Sequence, residues 1–391
     1  MHAPEIHGTS VLILGYGREG KSTHAWLQKH YPKLRIGIAD KKRDGDQYLR
    51  NLSGYDTVIR SPGVSPYSAE IAEYLRTGGY ITTATNIFFS LVRGKTIGVT
   101  GTKGKSTTTS LIAHILSGAH KDVRLVGNIG KPMLDEVDSS TADTIFVIEL
   151  SSHQLVDIRY SPHIAVILGI VPEHLDYYPD FASYKHAKEN IFRFQKPGDH
   201  LVRNEQENSK FKTRLLGNAK NISAAVAVSR LMDVTESIIK KQLDTFVPLP
   251  HRLELVGEFE GVKYFNDSLA TIPEATVHAL DALGPRVTTL IAGGFDRGLS
   301  YEALGNRLAK SSVKTLILFP DTGKKIWESI HEKSGIEMYD AHSMEEAVQI
   351  AASHTPKGKI CLLSPASASY NLFRDYADRG DQFKEWVKKL A

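Results

Sequence analysis

Short β-branched runs recur along the chain, separated by longer segments of mixed polarity. VLILG (11–15), IGIAD (36–40) and DTVIRS (56–61) come first. TIGVTG (96–101), VRLVGN (123–128), TIFVIEL (144–150) and IAVILGI (164–170) follow. TTLIAGG (288–294), KTLILF (314–319) and KICLLSP (359–365) close the series. Each run has strand length and is mostly apolar throughout rather than alternating. Such strands are buried on both faces, so the pattern predicts parallel sheets covered by helices, an α/β protein. No repeat of solenoid period appears.

Two boundaries stand out. One lies near Arg93-Gly94, between the helix-like NIFFSLV and the run that opens the second group. The other lies in the segment from Phe246 to Arg252, where Pro248 and Pro250 break a helical stretch. Just beyond, ELVGEFEGVKYFND (254–267) reads as a hairpin turning at Glu260-Gly261. The expected domains are 1–93, 94–246 and 247–391.

Composition narrows the field. The chain has 391 residues, 41% of them hydrophobic and 24% charged, which excludes wholesale disorder. The formal charge of +4, from 48 basic and 44 acidic residues, is too small to argue for nucleic acid, though it suits a polyanionic small ligand. The single cysteine, Cys361, excludes an intrachain disulfide and a cysteine-built zinc cluster and fits a reducing compartment. The opening MHAPEIHGTS lacks a basic patch followed by an apolar run. The longest apolar stretches, such as 164–171, fall far short of a membrane span. The expectation is a cytoplasmic protein with no membrane or nucleic-acid partner.

The sharpest chemical signal is GVTGTKGKST at 98–107. A strand ends, a glycine-rich turn follows, and the helical TTTSLIAHIL begins. Gly101, Thr102, Lys103 and Gly104 would turn backbone N–H groups toward phosphate oxygens at a helix N-terminus. Lys105 would reach the β- and γ-phosphates, and the hydroxyl of Ser106, followed by Thr107, would hold Mg²⁺. The usual first glycine, six residues before Lys105, is Val99 here.

Three further positions follow strands. Glu149 ends TIFVIEL, where a carboxylate would face the ligand crevice and hold a metal; the plainer alternative is a surface acid at a strand end. His174 in VPEHLDYY offers a neutral imidazole to a metal, or is a solvated loop histidine. Tyr184, Lys185 and Lys188 share the next helix, where a lysine is ordinarily exposed. At the N-terminus, Gly15-Tyr16-Gly17-Arg18-Glu19-Gly20 follows a strand, with Asp40 twenty residues later. This is the dinucleotide fingerprint, and by itself it favours a nicotinamide dehydrogenase. The same turn can cradle the diphosphate of a nucleotide sugar, and Ser61-Pro62-Gly63 supplies a second turn toward the same crevice.

Taken together, TGTKGKST, GNIG (127–130), IELSSHQL, EHLDYYPDFASYKHAKENIF, NAKNISAA, PHR (250–252), FNDSLAT, AGGFDRG, LSPASASYNLF and RGDQF resemble the Mur ligases, ATP-dependent enzymes that build the peptide stem of peptidoglycan. The resemblance runs from about residue 11 to 383. ELSSxQL and LSPAxAS point to the members that add D-glutamate to UDP-N-acetylmuramoyl-L-alanine through an acyl phosphate. It implies three domains: an N-terminal Rossmann-like domain for the nucleotide sugar, a central P-loop ATPase with a mostly parallel sheet, and a C-terminal Rossmann-like glutamate-binding domain that closes over ATP.

The resemblance also implies residue roles. Lys105 matches the phosphate-binding lysine. Ser106, Glu149 and His174 match a metal site for two Mg²⁺ ions, and Lys188 matches a lysine carbamylated in the family. Asn128 falls where nucleotide sugar and metal meet. Gly15, Tyr16, Gly17, Arg18, Asp40, Ser61, Pro62 and Gly63 are the expected sugar-nucleotide contacts. Asn218 and Asn221 match asparagines near adenine, and Arg252 and Asp267 match ATP contacts. Thr271, Arg297, Ser369 and Tyr376 fall where the incoming glutamate is held. A monomer acting on UDP-MurNAc-L-Ala and glutamate is implied.

Departures bear on amino-acid choice. Leu269 and Ile272 replace a lysine and an asparagine of the family pattern, and Arg297 stands where a lysine is usual. An L-glutamate-adding relative, a ligase for another carboxylate, and a nucleotide-sugar-binding regulatory protein without ligase activity stay open.

Overall fold

The computed structural model describes residues 3–174, 177–203, 219–247 and 250–390. The chain forms two compact units, Met1–Phe246 and Val247–Ala391.

The first unit holds two sheets. One comprises β1 (Ser10–Leu14), β2 (Arg35–Ala39), β3 (Thr57–Arg60) and β4 (Tyr80–Thr82), all parallel, in the order β2-β1-β3-β4. The other comprises β5 (Lys95–Thr100), β6 (Val123–Gly127), β7 (Ile145–Glu149), β8 (Ile164–Ile167) and β9 (His200–Arg203). These are also all parallel, in the order β6-β7-β5-β8-β9. In both sheets the strand order reverses beside the first strand, β1 or β5. Ligand crevices in open parallel sheets form at such reversals, outside the carboxyl ends of the strands. The turn after β1 faces the turn after β3. The loops after β5, β7 and β8 likewise stand side by side.

One apolar core joins the two sheets: Ile13, Trp26, Ile87 and Phe88 pack with Met133, Phe146, Leu155 and Ile158. The fully buried Arg60 crosses it, donating to both Asp157 carboxylate oxygens at 2.9 and 2.8 Å and to the carbonyls of Val64 and His153. A guanidinium out of water is tolerable only with its donors satisfied, as they are here.

The helix Lys105–Gly118 buries Thr108, Leu111, Ile112 and Ile115, and packs on the helix Ala219–Leu231. The helix Phe181–Arg193 starts at Asp180, whose side chain accepts the Ser183 N–H. It buries Tyr184, Ala187, Lys188 and Ile191, one stripe at helical spacing.

In the second unit, β10 (Glu254–Phe259), β11 (Val262–Asn266), β12 (Val287–Gly294), β13 (Thr315–Asp321), β14 (Glu337–Asp340) and β15 (Ile360–Leu363) form a sheet of order β10-β11-β15-β12-β13-β14. It is parallel except for β10, which pairs with β11 in the expected hairpin. Glu260 and Gly261 both take positive φ at its turn.

Three strands carried no sequence signal: β4, β9 and β14. All are sheet edges. HLVR and EMYD are mostly solvent-exposed, so they lack the continuous apolar run by which the inner strands were read. Among the described residues no helix is long and apolar enough to cross a membrane.

Candidate active site

The phosphate loop begins where β5 ends. Gly101 has φ +147°, and a Cβ there would come within 2.6 Å of the Leu168 Cβ, so the turn requires glycine. Gly104, at φ +87°, caps the helix that Lys105 opens. A Cβ on it would meet the Asn221 side chain at 2.5 Å, which seats Asn221 directly on the loop. The Lys105 ammonium donates to the carbonyls of Gly101 and Thr102, each at 3.0 Å. Ser106 is nearly buried in the first helical turn, with Thr107 beside it. The loop is tied to the segment after β8: the Thr102 N–H donates to the Gly169 carbonyl, and the Thr102 hydroxyl accepts the Val171 N–H.

Lys188 reaches the same loop from its helix. Its Nζ donates to the Gly101 carbonyl at 2.9 Å and lies 4.6 Å from the centre of the Tyr184 ring. Two ammonium groups thus share one carbonyl oxygen. Lys188 is only 2% exposed. Burial first, and the Lys105 charge second, push its pKa down to about 7; the Glu173 and Glu149 carboxylates oppose the shift.

Glu149 is fully buried at the end of β7. One carboxylate oxygen accepts from the Asn128 side chain at 2.9 Å; the other meets no hydrogen-bond donor among the described residues. A buried, half-satisfied carboxylate oxygen is costly unless a cation supplies the missing partner. The Glu149 carboxylate and the Ser106 hydroxyl are groups a divalent cation could take as ligands at the phosphate loop; the Lys188 ammonium, which donates to the Gly101 carbonyl, is not one as it stands. His174, at positive φ, lies farther along the same rim, its ring 4.8 Å from that of His153. Its Nε2 is 3.7 Å from Glu173. No group of three His, Cys, Asp or Glu side chains placed to hold a metal ion occurs among the described residues.

Glu173 is a site residue that the sequence reading missed. It bonds Lys103 at 2.6 Å, and the Lys103 charge keeps its carboxyl below the ordinary range against the opposing effect of burial. Nothing in the one-letter pattern separates it from a solvated loop acid.

A phosphate loop after β5 and a half-satisfied carboxylate at the end of β7 thus stand side by side, and a buried lysine with lowered pKa reaches the loop from the helix Phe181–Arg193. Against known families, residues 99–246 match the Mur ligase middle domain and residues 251–367 the glutamate ligase domain of Mur ligases. The chain belongs to the Mur ligase family. Two similar proteins are both named UDP-N-acetylmuramoylalanine--D-glutamate ligase. The one from Acetivibrio thermocellus is 33% identical, covering 90% of this chain and 87% of its own. That from Symbiobacterium thermophilum is 34% identical, with 89% and 87% covered. Among solved structures, the fold is similar to UDP-N-acetylmuramate-alanine ligase from Thermotoga maritima (TM-score 0.60, 18% identity, 98% of this chain and 100% of that one). It is also similar to the MurF ligase from Thermotoga maritima, solved with ADP (TM-score 0.59, 17% identity, 100% and 97%).

In this Mur ligase the glycine-rich turn after β1 is closely packed. A Cβ on Gly15, at φ +94°, would lie 2.8 Å from that of Ser61, whose hydroxyl donates to the Gly15 carbonyl at 2.7 Å. Gly17 and Gly63 face open space, and Pro62 is partly exposed. Asp40 is spent on the turn itself: it accepts the Tyr16 N–H at 2.6 Å, which with the Lys42 N–H holds its carboxyl low. Arg18 reaches out of the turn to the GNIG loop after β6.

The second unit carries the remaining positions. Asp267 is buried, accepting from the Leu253 N–H at 3.1 Å and the Ser364 hydroxyl at 2.9 Å; burial lifts its pKa to about 7. Arg252 is close enough for its charge to oppose that shift. The Arg297 guanidinium donates to the Thr271 carbonyl at 2.7 Å. Ser369 is buried and Tyr376 half-exposed. The Tyr376 carbonyl accepts from Ser268, next to Asp267. A second residue missed from sequence is Arg379. It is fully buried and holds Ser268, Ser367 and Ala368 through four hydrogen bonds, and burial lowers its pKa to about 9. Asn218 lies outside the described residues.

Proposed function

We propose that the chain joins glutamate, as D-glutamate, to UDP-N-acetylmuramoyl-L-alanine at the expense of ATP, in the making of peptidoglycan precursor. The observation that carries this reading is the pair of lysines on the Gly101 carbonyl beside the half-satisfied Glu149. The relatives named for that reaction support it. Residues 1–93 take the nucleotide sugar, 94–246 take ATP, and 247–391 take glutamate.

A carboxylate is a poor electrophile. Transfer of the γ-phosphoryl group makes it an acyl phosphate and releases ADP; attack by the amine then forms the amide and releases phosphate. The first step brings anions together, and two unit charges 4 Å apart repel by about 4 kcal/mol at an effective dielectric near 20. Lys105 offsets that repulsion at the phosphates, and the helix N-terminus behind Gly104 adds its dipole. Two magnesium ions would be held by Ser106, Glu149, His174 and Lys188, and would supply Lewis-acid stabilisation of the charge that builds up. Lys188, held near neutrality, has the free amine that carbon dioxide needs to form a carbamate. That reaction releases a proton and turns a repelling cation into an anionic oxygen ligand.

Asn221 would border adenine beside the phosphate loop, a role the family resemblance also gives Asn218, and the same resemblance makes Arg252 and Asp267 ATP contacts. Thr271, Arg297, Ser369 and Tyr376 select the amino acid, Arg297 gripping a glutamate carboxylate with its two-pronged donors. Gly15, Tyr16, Gly17, Arg18, Asp40, Ser61, Pro62, Gly63 and Asn128 form the sugar-nucleotide end.

The test is phosphate release and amide formation with UDP-MurNAc-L-Ala, ATP and Mg²⁺, offered each glutamate enantiomer. Turnover should need all components and prefer the D form. A preference for L-glutamate would transfer the chain to the related subfamily. Binding of the nucleotide sugar with no ATP consumed would make it a regulatory protein.

A further inference from the structure

Between Gly17 and Gly20 stand Arg18 and Glu19, and both bond segments that flank β7. Arg18 donates to the carbonyls of Gly127 (2.6 Å), Asn128 (3.1 Å) and Gly130 (3.2 Å). This is the loop after β6, where Gly127 and Gly130 take positive φ and no side chain is tolerated on either. Asn128, gripped at its carbonyl by Arg18, donates its N–H to the Glu149 carbonyl at 3.0 Å and its side-chain amide to the Glu149 carboxylate at 2.9 Å. Glu19 accepts from Gln154 at 2.6 Å. The oxygen of Gln154 in turn accepts the N–H of Ser151, two residues past Glu149. The glycine-rich turn therefore clasps the end of β7 from both sides.

We propose that Arg18 is a positioning residue which, through Asn128, sets the Glu149 carboxylate, so that filling the sugar-nucleotide end tightens cation binding at the phosphate loop. The proposal rests on the ligase reading for the identity of both ligands. Its physical basis is a short chain of hydrogen bonds from the closely packed glycine-rich turn to a buried carboxylate with one oxygen unpartnered among the described residues. A ligand seated on the turn bears on Arg18, and through it on the loop that orients Glu149. Linkage requires the effect to be reciprocal: metal must tighten nucleotide-sugar binding by the same factor.

The experiment is Mn²⁺ binding by water-proton relaxation, without turnover, in the presence of a non-hydrolysable ATP analogue, with and without UDP-MurNAc-L-Ala. Titration of that compound into metal-free protein is the companion measurement. In the wild type the nucleotide sugar should tighten Mn²⁺ by about 10-fold, within the usual range of such couplings. Measured at saturating UDP-MurNAc-L-Ala, Arg18→Ala should bring the factor to within about 2-fold of unity. Asn128→Ala should abolish the coupling likewise, and the double variant should do no more than either alone.

The proposal fails if the wild type shows no coupling, or if Arg18→Ala keeps it. Should Arg18→Ala not fold, Arg18→Lys takes its place: lysine keeps the charge but lacks the two terminal nitrogens by which Arg18 reaches Gly130 on one side and Gly127 and Asn128 on the other, and the factor should fall to an intermediate value. Wild-type protein that couples the two ligands yet makes no amide would sink the ligase reading and leave this one standing.

Discussion

Lys188 in the first unit and Asp267 in the second carry opposite charges and suffer the same displacement. Each is buried, and each is drawn to a pKa of about 7, the base from above and the acid from below. Their neighbours differ. Lys188 faces another ammonium, Lys105, across one carbonyl oxygen, so burial and like charge act together. Asp267 has two donors and the Arg252 charge in its favour, and burial alone outweighs all three. One site is short of negative charge and the other of positive charge. Under the proposed function, phosphates and cations are the kinds of charge that each residue, taken in its own unit, would meet.

The largest break of this comparison is Lys188→Ala. We expect a fall in ligase activity of about 100-fold or more, with no rescue by high bicarbonate, because the anionic ligand and its cation partner go together. Near-normal turnover would remove Lys188 from the mechanism. Stability should respond with the opposite sign. The lysine is deprotonated in the folded chain at a pH where the unfolded chain still holds the proton, so wild-type stability should decline as pH falls from about 10 through about 7 and level off below. Lys188→Met should lack that slope in denaturant titrations made in carbon-dioxide-free buffer.

Asp267→Asn comes next. If Asp267 is the ATP contact proposed, loss of its charge should cost about 10- to 100-fold in kcat/KM, the range for a hydrogen bond to a charged group. Its stability profile should mirror that of Lys188. The folded chain keeps the Asp267 proton where the unfolded chain has lost it, so the wild type gains stability below about pH 4 and loses it as pH rises through about 7. Asparagine should flatten this limb and leave the alkaline limb intact; a variant that keeps the acid limb would assign it to another carboxyl.

These two residues also mark what the sequence made legible. The inner strands, the hairpin at Glu260-Gly261 and the phosphate loop are written in local signals: continuous apolarity, turn residues and Lys-Ser after glycine. Lys188 was open to the same reading. It stands four residues after Tyr184 and three before Ile191, on the apolar stripe of its helix, where a lysine has no business unless it is used. Arg379 shares that signature with Phe383 and Val387. The periodicity alone would have shown both as buried charges. Glu173 could not be read, because its partner Lys103 is distant in sequence and a lone loop acid has no period. The tasks of Asp40 and Arg18 were equally hidden. The fingerprint of the turn is local, whereas the choice between facing a ligand and bracing a neighbouring loop is made by contacts between two sheets.

The smallest effect sharpens the comparison at the amino-acid end of the second unit. The Arg297 guanidinium already spends one N–H on the Thr271 carbonyl, which fixes its plane and leaves the remaining donors for a carboxylate. Lysine, usual at this position in the family pattern, keeps the charge and loses the planar fork. We expect Arg297→Lys to raise KM for glutamate by about 3- to 10-fold with kcat little changed, the signature of a contact equal in ground and transition states. The Asp267 stability limb should not move, since Arg297 is not among the charges acting on that carboxyl. A fall in kcat with KM unchanged would instead mean that Arg297 acts on the reacting amine's path rather than on the carboxylate it is proposed to grip.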